Sequence, residues 1–232
     1  MGLVNIDFVK PMRVIGRFRQ GELNLGRIEA LSDGVFAIVV TLLVLDLTVP
    51  KLANPRSTGE LAHGLVALLP KLLSWMLSFV IVCKFWVNHH HIFNLASHAD
   101  YSLVWLNAIF LMFQSFIPFP TALMGRYPSN PLAVSLFGLT MAFNTLLFIT
   151  LHAHVLRHLL KPELVERVDP HIIAKSFAGP LTYSLGAAAA WINVELAFAI
   201  YLMTPPFFIV PPQLRPLPRA VVPARAARGL EP

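Results

Sequence analysis

The 232-residue sequence is too apolar for a soluble domain. Hydrophobic residues make up 56% of it, charged residues only 13%, and the mean hydropathy is +0.66, whereas a soluble domain has about 25% charged residues. The net charge of +6 does not indicate nucleic acid, because basic residues collect in the cytoplasmic loops of membrane proteins. The single cysteine, Cys83, excludes an internal disulfide. These properties predict an all-α integral membrane protein.

Residues 1–26 are basic and mixed in character, and they are interrupted by Pro11, Gly16 and Gly21. They contain no continuous apolar core, so we expect no cleavable signal peptide. The segment is predicted to be a cytoplasmic N-terminal extension.

The first apolar segment, residues 33–49, is predicted to be the first transmembrane helix, near the lower limit of the ~20 residues that cross hydrocarbon. Gly34, Ile38, Thr41, Leu45 and Thr48 recur at alternating steps of four and three, so they share one helix face. A lipid-facing helix has no need of two threonines in this stripe, whereas a helix that faces copies of itself around a water-filled axis does. The stripe therefore predicts the lining of a pore, and ordinary helix packing is the alternative.

Five more transmembrane helices are predicted after the first. The second is expected to begin effectively near Pro70, because proline fits the first turn of a helix. The third is expected to bend or end at Pro118 and Pro120, and a turn near Ala190-Trp191 separates the last two. The predicted ranges are 61–85, 101–124, 132–151, 173–189 and 192–210. Residues 211–232, rich in proline and arginine, are predicted to be a disordered cytoplasmic tail.

The distribution of lysine and arginine predicts the orientation. With six spans, fourteen of the eighteen basic residues fall on the side of the two termini. Basic residues favour the cytoplasmic side, so both termini are predicted to be cytoplasmic.

Four polar residues, Arg27, Glu29, Ser32 and Asp33, lie at the start of the first span. A helix cap explains one of them. Asp33 within hydrocarbon would cost about 2.5–3.5 kcal/mol unless it had a partner. Partners are available at the same side of the membrane, where the predicted second span is followed by Trp86, Asn88, His89, His90 and His91. Successive histidines point in different directions, so at most two can reach one site.

The histidines also allow a second hypothesis, an integral membrane enzyme with a histidine-bound metal. The residues concerned are His89, His90, His91, His98, His152, His154 and His158. Only His154 and His158 form an i, i+4 pair, and no matching pair with nearby carboxylates is present. The sequence also has no phosphate-binding glycine loop, nucleophile elbow or TVGYG-type filter. A third hypothesis is a membrane scaffold without transport.

The first helix resembles a known family signature. Arg27, Ser32 and Asp33, within RIEALSDG, match the Arg, three residues, Phe-Ser-Asp motif of the bacterial relatives of the endosomal/lysosomal potassium channel, the transmembrane protein one-seven-five family. Leu31 replaces the usual phenylalanine. The stretch from Trp86 to His90 is similar to the second-helix motif of that family.

This resemblance implies a homotetrameric, passive, potassium-preferring cation channel in a bacterial inner membrane. It needs no cofactor beyond the permeant potassium ions, and its partners are the other copies, lipid and monovalent cations. The first helix would line the pore, with Ile38 and Leu45 as apolar rings and Thr41 between them. The resemblance also implies an assembly network formed by Arg27, Ser32, Asp33, Trp86, Asn88, His89 and His90.

Overall fold

The computed structural model describes residues 24–169 and 171–208, which are almost entirely helical. The predicted tail, residues 211–232, lies outside them, and so does the predicted N-terminal extension up to residue 23. The described residues form α-helices α1 Leu25–Leu42, α2 Thr58–Ala67, α3 Leu69–Leu95, α4 Tyr101–Phe116, α5 Pro118–Arg126, α6 Pro131–His154, α7 Ile172–Ser176, α8 Ala178–Ala189 and α9 Val194–Phe208. A 3₁₀ turn, Leu43–Asp46, continues α1, a π-helical turn, Val155–Leu159, continues α6, and a second 3₁₀ segment covers Pro162–Arg167.

Four segments are long and apolar enough to cross a membrane, namely Leu25–Asp46, Leu69–Leu95, Tyr101–Arg126 and Pro131–Leu159. The other two predicted spans are shorter. Helix α8 has 12 residues and α9 has 15, which gives roughly 18 and 22 Å at 1.5 Å per residue. The hydrocarbon core is about 30 Å thick. The described residues therefore establish a helical protein with four full-length spans.

The first span begins eight residues earlier than its predicted start at residue 33. The side chain of Asn24 accepts a hydrogen bond from the Gly26 amide and caps the helix. Arg27 to Asp33 are consequently helical rather than a lead-in to the helix. The helix ends at Asp46, three residues before the predicted boundary.

The second span is displaced relative to the predicted range 61–85. It starts at Leu69, with Pro70 in its first turn as expected, and continues to Leu95. The preceding helix α2 is a separate element with no buried residue. The Trp86–His91 stretch therefore lies inside the span. The third span breaks between α4 and α5 at Pro118, as its prolines predict, and the predicted fifth span is divided at Phe177 into α7 and α8.

Helix α6 packs at the centre of the bundle. It contacts α4, α5, α7, α8 and α9, and 61% of its apolar window is buried. Tyr201 of α9 fills a notch between Gly138 of α6 and Gly186 of α8, where a Cβ atom on either glycine would collide with its ring. Its hydroxyl donates a hydrogen bond to the Val134 carbonyl at 3.0 Å. Small residues at this point allow the three helices to approach closely.

The ends of the second and fourth spans are joined through backbone. The Ser97 amide donates to the Leu159 carbonyl at 2.8 Å, and the Lys161 amide donates to the Leu95 carbonyl at 3.0 Å. Asp100, which caps α4, also contacts Nε2 of His154 at 2.9 Å. The π-helical turn thus leads directly into a short pairing between two chain segments.

Candidate functional site

The first helix has an apolar face inside the bundle and a second apolar face outside it. Ser32, Phe36, Val39 and Leu43 are buried. The predicted stripe consists of residues two positions later, Gly34, Ile38, Thr41 and Leu45. Two helical positions correspond to a rotation of about 200°, so the stripe lies opposite the buried face.

The stripe is open over its whole length in the single chain. Ile38 is 59% exposed and Leu45 is 69% exposed, and Thr41 is exposed as well. Thr48 is also exposed, but it lies beyond the end of the helix at Asp46, so the prediction that it shares this helix face is wrong. No neighbouring atom lies within 4 Å of a Cβ placed on Gly34. Within the described residues, this face has no intramolecular packing partner.

The hydroxyl oxygen of Thr41 is available as an acceptor on the exposed face of the helix. Its hydroxyl donates a hydrogen bond to the Ile38 carbonyl at 2.8 Å. The proton is therefore committed to the helix backbone, and the oxygen lone pairs remain available. A hydroxyl in this state can coordinate a cation, because hard cations prefer oxygen ligands.

A buried hydrogen-bond chain joins the first three spans. Nε2 of His89 donates to the side-chain oxygen of Asn107 at 2.8 Å, and the Asn107 amide donates to the Ser32 hydroxyl at 2.9 Å. Ser32 in turn donates to the Ile28 carbonyl at 2.8 Å. Ser32, His89 and Asn107 are each no more than 1% exposed. The first helix is therefore held at its Ser32 turn by both α3 and α4.

Aromatic rings fix the imidazole of His89. It stacks on Phe93 with a centroid distance of 4.3 Å, is nearly parallel to Phe110 at 5.9 Å, and meets the edge of Phe36 at 5.6 Å. Its second ring nitrogen, Nδ1, is buried and has no hydrogen-bond partner among the described residues. Nε2 is the protonated nitrogen, since its partner on Asn107 is an acceptor.

Two further polar contacts tie α1 to α3 at the bundle surface. The indole nitrogen of Trp86 donates to the Asp33 carboxylate at 2.8 Å. Nδ1 of His90 lies 2.7 Å from the Glu29 carboxylate. Both contacts pair a carboxylate in the first turns of α1 with a side chain of the second span, so Asp33 has the partner that its location requires.

The structure does not bring Arg27 and Asn88 into this network. Arg27 is exposed, its amide donates a backbone hydrogen bond to the Asn24 carbonyl at 3.0 Å, and its side chain forms no hydrogen bond or ion pair with another described residue. The Asn88 amide donates to the Lys84 carbonyl of its own helix at 2.9 Å. The contacts around α1 instead include Asn107, which the sequence analysis missed. A single asparagine in an apolar span, on the face shared with Leu103 and Phe110, is the signal that points to it.

The histidines of the metal-enzyme hypothesis do not converge. Between residues 24 and 208, leaving out residue 170, no group of three or more His, Cys, Asp or Glu side chains is arranged to hold a metal ion. His154 contacts Asp100, and the ring centroid of His158 is 5.0 Å from that of His154. His89 and His90 point to different partners.

Comparison with known proteins identifies the relatives of the chain. The family model described as endosomal/lysosomal potassium channel TMEM175 matches residues 27–118. A protein named potassium channel from Streptomyces collinus is 35% identical over 182 residues, covering 76% of this chain and 87% of that protein. A potassium channel of Chamaesiphon minutus is 35% identical over 192 residues, covering 79% and 92% of the two chains.

A solved structure agrees with these matches. The crystal structure of a lysosomal potassium-selective channel TMEM175 homolog from Chamaesiphon minutus superposes with a TM-score of 0.68 at 35% identity. The match covers 79% of this chain and 95% of that one. The residues matched by the family model contain the whole exposed stripe and every polar contact that ties α1 to α3 and α4. The chain belongs to the TMEM175 family.

Proposed function

We propose that the protein is a passive potassium channel whose first helix lines the pore. The observation that carries this proposal is the exposed stripe of Gly34, Ile38, Thr41 and Leu45, opposite a face that is already packed. An apolar face interrupted by hydroxyl groups suits contact with copies of itself around water better than contact with lipid. The relatives named potassium channels support potassium as the permeant ion.

In the proposed assembly, four copies place their first helices around one axis. Rings of Ile38 and Leu45 form a hydrophobic constriction that gates by dewetting. Thr41 hydroxyls between them replace part of the hydration shell of the ion, and Gly34 and Thr48 line the two ends. The membrane potential drives conduction with about 2.3 kcal/mol per charge per 100 mV.

The proposed function of the polar contacts is to hold the first helix while its outer face remains free. Ser32, Asp33, Trp86, His89 and His90 do this within one subunit. The side chain of Arg27 has no partner among the described residues of its own chain, so we assign it a partner in a neighbouring copy. Asn88 sits beside this network and is assigned to the same subunit interface.

The proposed topology has six membrane segments with both termini in the cytoplasm. Helices α7 and α8 together form the fifth and α9 forms the sixth. Because the named relatives include bacterial proteins, we place the protein in the inner membrane of a bacterium.

Ion flux into proteoliposomes tests the proposal. Purified protein is expected to pass potassium down its gradient faster than sodium. Ile38→Asn, which makes the narrowest ring polar, is expected to increase the flux or reduce the preference for potassium. Leu139→Asn is the matched control, because Leu139 is 54% exposed on the fourth span and is not part of the stripe. Unchanged flux in Ile38→Asn would contradict the pore assignment.

The two alternatives give different results in the same preparation. A scaffold without transport would show no potassium flux in wild-type protein. A metal enzyme would copurify with stoichiometric iron or zinc and lose it on His154→Ala. The channel proposal expects flux and no change in metal content with that substitution.

A further inference from the structure

We propose that Lys71 limits cation entry at the far end of the first span by neutralising Asp46. The inference rests on the proposed channel function and adds a residue outside the pore-lining helix that sets its conductance.

Asp46 ends the 3₁₀ turn that completes the first span, directly after Leu45 of the stripe. Lys71 reaches it from the first turn of α3. Its ammonium nitrogen lies 3.6 Å from the Asp46 carboxylate and donates a hydrogen bond to the Asp46 carbonyl at 3.3 Å. The lysine therefore opposes two negative charges, the carboxylate and the partial charge at the C-terminus of the helix.

The backbone holds Lys71 in this position. Pro70 lies in the first turn of α3, and Gly125 of α5 lies so close that a Cβ atom there would be 3.0 Å from the Cα of Lys71. The side chains of Lys71 and Asp46 are 21% and 34% exposed, so water and salt reach the pair. The nearby carboxylate of Glu60 is already bound to the amides of Ala53 and Asn54 at 3.0 Å each.

The consequence for conduction follows from charge at the pore mouth. In an assembly of four copies, each Asp46 lies at the end of the first span, on the face that also carries buried Leu43 and packs against α3, behind the stripe. Four carboxylates therefore surround one entrance from behind the pore-lining face. A ring of negative charge raises the local concentration of cations at a narrow opening. With Lys71 in place each pair is close to neutral, and this attraction is largely cancelled. Lys71 thus lowers the entry rate of cations from this side.

Wild type and three variants test the inference by changing the charge at this entrance in single steps. Single-channel or flux measurements are made in about 0.05 M and about 1 M KCl, since the Debye length falls to about 3 Å at the higher concentration. At low salt, Lys71→Met is expected to have the highest potassium conductance and Asp46→Asn the lowest. Wild type and the double variant Lys71→Met/Asp46→Asn are expected to lie between them and to be similar to each other. We expect about a threefold increase for Lys71→Met, and convergence of all variants at high salt.

Two controls separate charge from structure. Lys71→Arg keeps the charge and is expected to conduct as wild type does. Arg56→Gln removes a basic residue that is exposed and makes no ion pair with Asp46, and it is expected to change little. Reduced conductance in both Lys71→Met and Asp46→Asn, or an effect that persists in about 1 M salt, would overturn the inference. Absence of flux in wild-type protein would instead refute the channel function itself.

Discussion

The first and fourth spans are both long and apolar, but the fold uses them in opposite ways. The fourth, Pro131–Leu159, has 61% of its apolar window buried, whereas the first, Leu25–Asp46, has only 22% buried. Helix α6 of the fourth span contacts five other helices of its own chain. The first is attached along one narrow face, and its remaining apolar surface is exposed.

This difference shows that hydropathy alone does not distinguish a helix that is packed inside its own chain from one whose apolar face is left exposed. The small residues of the fourth span admit neighbouring helices, as at Gly138. The polar residues of the first span fasten it at one end, as at Ser32, and the rest of its outer face has no neighbour within the described residues. The two spans should therefore respond differently to substitution.

The largest effect is expected for Gly138→Ala at the centre of the bundle. The new methyl group would collide with the ring and hydroxyl of Tyr201, which is itself held by its bond to Val134. Overpacking a site that cannot relax destabilises by about 3 kcal/mol. The measurement is the thermal unfolding midpoint in detergent, monitored by size-exclusion chromatography.

The matched control is Gly34→Ala on the stripe. Nothing lies near its Cβ position in the single chain, so the unfolding midpoint is expected to change little or to rise slightly, because alanine favours the helix. Equal destabilisation by the two alanines would contradict the contrast between the two spans.

An intermediate effect is expected for Asn107→Ala. The substitution leaves the Nε2–H of His89 buried without an acceptor and removes the donor to Ser32. An unsatisfied buried group costs about 2 kcal/mol. Asn94→Ala, an exposed position on α3, is the control. If both variants unfold at the wild-type temperature, the buried chain does not hold the first helix.

The smallest effect is expected for Trp86→Phe. This variant keeps an aromatic ring but loses the bond to Asp33, at a site where Trp86 is 43% exposed. We expect a loss of about 1 kcal/mol in stability. Trp105→Phe provides the comparison, because Trp105 is 55% exposed and its indole donates no hydrogen bond within the described residues. A loss of stability as large as that for Asn107→Ala would contradict this ranking. It would show that the surface bond between Trp86 and Asp33 holds the first helix as strongly as the buried hydrogen-bond chain does.

Sequence reasoning recovered the helical membrane class and the family. It also predicted which side chains of the first helix share a face, because spacing in a helix fixes this, and the pore-lining role of that face stays a prediction. It misplaced the start of the first span, since Asn24 caps the helix two turns before the apolar run begins. It overlooked Asn107, which bonds to Ser32. Its assignment of Asn88, whose amide bonds to a carbonyl of its own helix, stays a prediction. Which of two asparagines faces a neighbour depends on the rotation of α3 and α4, and that rotation is set by the packing of Phe36, Phe93 and Phe110 around His89.

The backbone pairing between Ser97 and Leu159, and between Lys161 and Leu95, has a mechanical consequence. Because backbone hydrogen bonds join the ends of the second and fourth spans, neither helix can slide or rotate against the other at this end without breaking those bonds. A rearrangement of the second span at this end is therefore expected to move the fourth span with it, together with the His154–Asp100 contact beside the pairing.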